Sequence, residues 1–152
     1  MAECVTCSLI ERRDAGEAPL WDRILRTERW DVVHAFGTSL EGWLVLVVRR
    51  HITAVADLTD DEATELGPLV KRVSAALQEV VGCDKTYVVQ LAEHRDHPHV
   101  HVHVIPRSAD LPDEHQGPRV FALLGVPDDD AVPEARMDEI GAAIAARLAD
   151  PG

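Results

Sequence analysis

The densest chemistry in the chain lies in the run His99-Val100-His101-Val102-His103-Val104. In an extended strand, side chains alternate between faces with a period of two. His99, His101 and His103 therefore share one face, and the valines between them enter the core on the other. Three imidazoles in a row are costly to bury unless each has a partner. Two chemistries suit them. They can ligate a catalytic metal, as H-x-H pairs do in some hydrolases. Alternatively, one imidazole can attack phosphorus, since a neutral imidazole needs no deprotonation and leaves readily again. Its neighbours would then orient it and return a proton to the leaving group. A second group, Cys4-Val5-Thr6-Cys7, offers two thiols at the spacing of metal ligation or redox exchange. A redox pair of the thioredoxin type is expected between a strand and a helix, which residue 4 is not.

These groups must be positioned by a scaffold, and the apolar pattern supplies one. Trp30 to Phe36, Gly42 to Arg50, Lys85 to Ala92 and His99 to Pro106 read as strands. Pro98 fits a strand start, because it cannot donate to a ladder. The clearest helix opens at Thr59-Asp60-Asp61-Glu62, a capping-box sequence with acids in its first turn. Apolar residues then recur at Ala63, Leu66, Leu69, Val70, Val73, Ala76, Leu77, Val80 and Val81, one face of a helix that Gly82 ends. Gly67-Pro68 predicts a bend in its early turns. Cys4 to Arg13 reads as a short arm, Leu20 to Thr27 as a helix after Pro19, and Pro133 to Ala149 as a last helix. Trp43 reads as a core residue and Cys83 as a small buried one. Strands grouped around one long helix, with hairpin-length links, predict an antiparallel α+β domain.

Composition narrows the function classes. With 152 residues, 46% hydrophobic and 28% charged, the chain fits one globular domain. A net charge of −12 opposes general nucleic-acid binding, which needs a basic surface, but not a small phosphate ligand in a local pocket. No apolar run approaches the roughly 18 residues of a membrane span. Met1 to Leu9 carries Glu3 and no apolar stretch, as expected of a cytoplasmic chain, and three cysteines do not suggest a disulfide framework.

The run His99 to Val104, continued by Ile105-Pro106-Arg107, resembles the signature of the histidine-triad (HIT) family, His-φ-His-φ-His-φ-φ followed by Pro-Arg. The layout is similar too: an N-terminal C-x-x-C, then Gly42 to Ile52 in place of the family's Gly-x-Leu-Val-φ-Pro-Lys-x-His-Ile strand (without its Pro), then the long helix and the triad. The likeness covers about residues 4 to 107. It implies a HIT-like domain over residues 1–109, with residues 110–152 a C-terminal extension carrying the terminal helix. His101 would be the nucleophile toward the α-phosphate of a nucleoside phosphoramidate or dinucleoside polyphosphate, and His103 would assist at the phosphate. Cys4, Cys7, His51 and His99 would hold a structural zinc, a closed set of two thiolates and two imidazoles that also ties the arm to the triad strand. The chain would pair as a homodimer.

Certain positions depart from the family pattern. The loop before the triad, Glu93-His94-Arg95-Asp96-His97-Pro98, has no Gly or Ser to hold phosphate. Arg95, His94 or His97 are the donors expected in their place. Gln90 stands in for an Asn on the preceding strand, and His99 adds a further substrate contact. The acid that reads ribose hydroxyls is missing from Val33-His34-Ala35-Phe36, and Asp31 comes too early. The ligand is thus expected to be a small nucleotide or an organic phosphate. A non-catalytic zinc-containing nucleotide-binding module and a hydrolase whose triad holds a catalytic metal are the alternatives.

Overall fold

The structure, a computed structural model, describes residues 3–150. Its centre is a five-stranded sheet in the order β1-β2-β3-β5-β4, antiparallel throughout. The strands are β1 (Leu25–Arg26), β2 (Trp30–His34), β3 (Leu44–Val48), β4 (Lys85–Gln90) and β5 (His101–Arg107). Three α-helices accompany them: α1 (Val5–Asp14), α2 (Asp60–Val81) and α3 (Glu134–Ala149). Among the described residues, no helix is long and apolar enough to cross a membrane.

Alternation along the strands divides the sheet into two working faces. Leu44, Leu46 and Val48 of β3 join Val102 and Val104 of β5 in the main core, under α2 and α3. Val45, Val47 and Ile105 point the other way, into a smaller cluster with Ile10 of α1 and Val120. The expected division of β5, valines inward and histidines opposite, is therefore present.

Helix α2 forms as its sequence dictates. Thr59 Oγ1 accepts from the Glu62 backbone N–H, the Glu62 carboxylate accepts from Thr59 N–H, and Gly82 ends the helix at φ 75°. The helix runs unbroken through Pro68, which sits on its exposed side. Of the expected apolar stripe, Leu69, Val73, Ala76 and Leu77 are buried, while Ala63 is exposed. Ile140, Ile144 and Leu148 of α3 share the core with them.

Two segments differ from the sequence reading. Leu20 to Thr27 is not a helix: a single 3-10 turn, Leu20–Asp22, gives way to β1, and Leu25 pairs with Val32. So short a segment gains more from the open edge of β2 than from a helix nucleus. Conversely, the arm from Cys4 to Arg13 is helical. The Cys4 side chain caps α1 by accepting from Cys7 N–H at 3.3 Å. The buried positions of α1 are Thr6, Ile10 and Arg13, so its inward face is helically spaced but not hydrophobic.

Helix α1 is held by charge. The Arg13 side chain, 1% exposed, lies between Asp22 at 2.9 Å and Asp31 at 3.0 Å, and its Nε donates to the Asp22 carbonyl at 2.8 Å. Arg12 adds a second pair to Asp22 at 2.6 Å, and Arg26 one to Asp31 at 2.7 Å. Asp31, fully buried, is thus an anchor for α1 on β2.

Candidate functional site

Helix α1, the second sheet face and the loop between β4 and β5 enclose a cleft of about 520 Å³. Leu9, Val33, Val45 and Phe121 contribute apolar walls, while His97, His101 and His103 contribute imidazoles. Strand β5 places His101 and His103 two residues apart on the cleft side, with ring centroids 5.0 Å apart and planes at 75°.

Each imidazole of this pair is fixed by a different partner. His101 Nδ1 lies 2.6 Å from the His99 carbonyl, which can only accept, so Nδ1 carries the proton and Nε2 keeps its lone pair. The indole N–H of Trp43 donates to His103 Nδ1 at 3.0 Å. Burial pushes both histidines below their ordinary value, His103 down to about 4, helped by the nearness of His101. A neutral imidazole can act as a nucleophile without first losing a proton.

His99 faces elsewhere. It is fully buried, with Nε2–H donating to the Val48 carbonyl at 2.6 Å and Nδ1 turned toward the N-terminal cysteines. Ligand atoms of Cys4, Cys7, His51 and His99 all lie within 4.8 Å of one another. The two Nδ1 atoms are 3.2 Å apart, Cys7 Sγ is 3.2 Å from His51 Nδ1 and 3.6 Å from His99 Nδ1, and Cys4 Sγ is 3.7 Å from His99 Nδ1. A tetrahedral ion with ordinary metal–nitrogen and metal–sulfur bonds needs edges of about 3.3 Å (N to N) and 3.6 Å (N to S), so the quartet fits a bound metal ion. Burial, then the neighbouring Cys4 thiol, hold Cys7 up at about 11; a cation among them would reverse that penalty. The Val48 carbonyl orients His99 from behind, as outer-shell acceptors do for metal-bound imidazoles. Both nitrogens of His99 are thus committed, and the three triad imidazoles do not converge on one ion.

The remaining expected contacts divide. His97 lines the cleft, and its Nδ1 shares a hydrogen bond of 2.9 Å with Thr6 Oγ1 of α1. Gln90, at the end of β4 opposite Val102, is not among the cleft residues. Arg95 points into solvent with its side chain 91% exposed, and Asp31 is engaged by Arg13 and Arg26. The loop itself is strained at one point: Ala92, which lines the cleft, has φ 56°, the left-handed region that costs a side chain about 1–2 kcal/mol.

Sequence reasoning missed four participants. Trp43 reads as packing, because only contact geometry shows where an indole N–H points. Phe121 lies in the 3-10 segment Gly117–Leu123, beyond the recognisable pattern, yet its ring meets His103 edge-on at 5.1 Å. Arg13 and Asp22 are separate charges in the sequence, and α1 had to be seen as a helix before they could meet. The one available signal was the spacing of Thr6, Ile10 and Arg13 along a helix face.

Comparison with known proteins places this geometry. A family model described as HIT domain matches residues 22–110. No curated protein matches the chain. Among solved structures, a Zn-bound histidine triad family protein from Mycobacterium smegmatis is 20% identical over 96% of this chain and 93% of its own, with a TM-score of 0.66. A hypothetical histidine triad nucleotide-binding protein from Sulfolobus tokodaii is 16% identical over 93% and 91%, with a TM-score of 0.69. A histidine triad protein from Sinorhizobium meliloti is 25% identical over 83% and 88%, with a TM-score of 0.67.

Proposed function

This chain belongs to the HIT domain family, and from that membership we propose that it is a hydrolase or transferase acting at the α-phosphate of a small nucleotide or organic phosphate. The observation that carries the reading is His101: Nδ1–H is held by the His99 carbonyl at 2.6 Å, which leaves the Nε2 lone pair for phosphorus in the cleft. Attack by Nε2 forms an N–P bond as the bond to the leaving group breaks, and the leaving group departs with a proton from solvent. Water then cleaves the N–P bond, which releases the phosphate monoester and returns His101. His103 assists at the phosphate, and His97 stands at the rim as a further contact. Gln90 and Arg95 take part only if the loop rearranges around the ligand.

The metal is zinc on this reading, held by Cys4, Cys7, His51 and His99 in a structural role. A closed set of two thiolates and two imidazoles suits it better than hard cations. Three unpaired cysteines fit a cytoplasmic setting. The unpaired outer edge of β4, with Val88 and Leu91 about half exposed, fits pairing with a second copy.

The test is AMP release from adenosine phosphoramidate and from diadenosine polyphosphates, with wild type compared to His101→Ala. Turnover that vanishes in the variant supports the assignment. A second reading, a binding module without turnover, is favoured by the exposed Arg95 and the Gly-free loop. Tight AMP binding by wild type with no AMP release would establish it instead.

A further inference from the structure

His101 and His103 are chemically identical side chains set to opposite roles by opposite partners. The carbonyl that holds His101 accepts only, whereas the indole that holds His103 donates only. Trp43 is fully buried at the start of β3, and its ring meets that of His103 edge-on at 5.7 Å and 82°. Phe121 closes on both, 5.4 Å from Trp43 and 5.1 Å from His103. An imidazole whose Nδ1 accepts must, when neutral, carry its hydrogen on Nε2. We propose that Trp43 is a positioning residue that fixes His103 as the neutral Nε2–H tautomer, so that His103 offers the cleft a hydrogen-bond donor beside the lone pair of His101.

The consequence concerns which form of His103 works. Protonation of Nδ1 would set its N–H against the indole N–H, so this contact disfavours the imidazolium. Its surroundings give no compensation. Val45 of β3 and Val89 of β4 stand opposite it in the sheet, and Phe121 covers it from the 3-10 segment. Among the described residues, His101 is the titratable group that bears on it. His103 then stabilises a phosphate oxygen or leaving group by hydrogen bonding rather than by carrying a full charge. This use of the donor rests on the cleft taking a phosphate ligand, but the tautomer itself does not.

Side-chain 15N–1H NMR on histidine-labelled, metal-loaded protein reads the tautomer directly. Wild type should show His103 with a protonated Nε2 and an accepting Nδ1 at neutral pH. Trp43→Phe keeps an aromatic ring against Phe121 and removes the donor. In it, His103 should become a mixture of tautomers and titrate closer to an ordinary histidine. Replacing Trp43 by its sulfur isostere, benzothienyl-alanine, preserves ring size and serves if the Phe variant does not fold. With a turned-over substrate, kcat should fall about tenfold with little change in KM, the effect of one lost orienting hydrogen bond. An unchanged tautomer and titration in both variants would make Trp43 packing alone and overturn the proposal, as would a wild-type His103 protonated at Nδ1. The expected NMR result without turnover by wild type would leave the tautomer assignment standing and refute the catalytic reading.

Discussion

Replacing Arg13 by alanine removes the guanidinium that stands between two buried carboxylates. Breaking a buried ion pair by deleting one partner costs about 3–5 kcal/mol, because the remaining charge is left without compensation. Here both carboxylates keep a cation: Asp22 retains Arg12 at 2.6 Å, and Asp31 retains Arg26 at 2.7 Å with Arg49 farther off at 3.9 Å. That places the expected loss near the lower end, about 3 kcal/mol. For a domain of this size, it corresponds to a fall in Tm of roughly 6–12 °C. Net stabilities run to about 5–15 kcal/mol, so the variant should still fold and be measurable. Urea titration followed by tryptophan fluorescence gives the free energy, and a thermal scan gives Tm. Arg13→Lys should lie between the two, since an ammonium lacks the planar fork that reaches both acids. A loss under about 1 kcal/mol for Arg13→Ala would mean that the network contributes no more than exposed pairs do, and would refute its role as the anchor of α1.

Other expectations follow from the same geometry. His103 titrates near 4 in the fold against 6.5 ordinarily, so the unfolded chain binds more protons between those values. Stability is therefore full above pH 6.5 and declines as pH falls toward 4, by up to about 3 kcal/mol from this residue, as urea titrations at stepped pH will show. Buried His34, also pushed down by desolvation, acts in the same direction. With zinc held as proposed, a chelator, or Cys7→Ser, would open a cross-link between residues 92 apart in sequence. By analogy with a disulfide closing a loop of that size, the loss is about 4–5 kcal/mol, and metal analysis with a thermal scan will show both ion and stability falling together. Gly42→Ala puts a Cβ 3.0 Å from Val81 Cγ1 at a residue with φ +87°. A cost of about 1–3 kcal/mol by urea titration is expected.

Four strands of the sheet and α2 were legible in the sequence because each rests on a local rule: an apolar, Val-rich run for β3, alternation for β5, and a capping box with a helical stripe for α2. The main core followed from the same patterns. Helix α1 was hidden because its inward face contains Thr6 and Arg13, and hydrophobic periodicity cannot register a buried guanidinium. Leu20 to Thr27 misled in the opposite sense: the open edge of β2 decided its structure, and edges are not local. The Cys4, Cys7, His51 and His99 quartet was named through resemblance alone, since nothing in the spacing of residues 4, 7, 51 and 99 brings them together. In the cleft, a histidine on the triad strand could be placed from its parity, but the loop residues could not, because a six-residue connection carries no period. Arg95 lies outside the cleft and His97 within it for that reason, while Gln90, on β4, lies outside it as well.

The alternation of β5 has a further effect on the fidelity of folding. A strand whose two faces were alike could slide by one residue against β3 with little penalty. Here such slippage would carry Val102 and Val104 to the cleft face and push His101 and His103 into the apolar main core. At about 1–3 kcal/mol for each imidazole buried without a partner, the two together reach roughly 2–6 kcal/mol, a large share of the stability of a domain. The histidines of this strand therefore also act as its proofreading, since a misaligned β5 pays for its error before any ligand arrives.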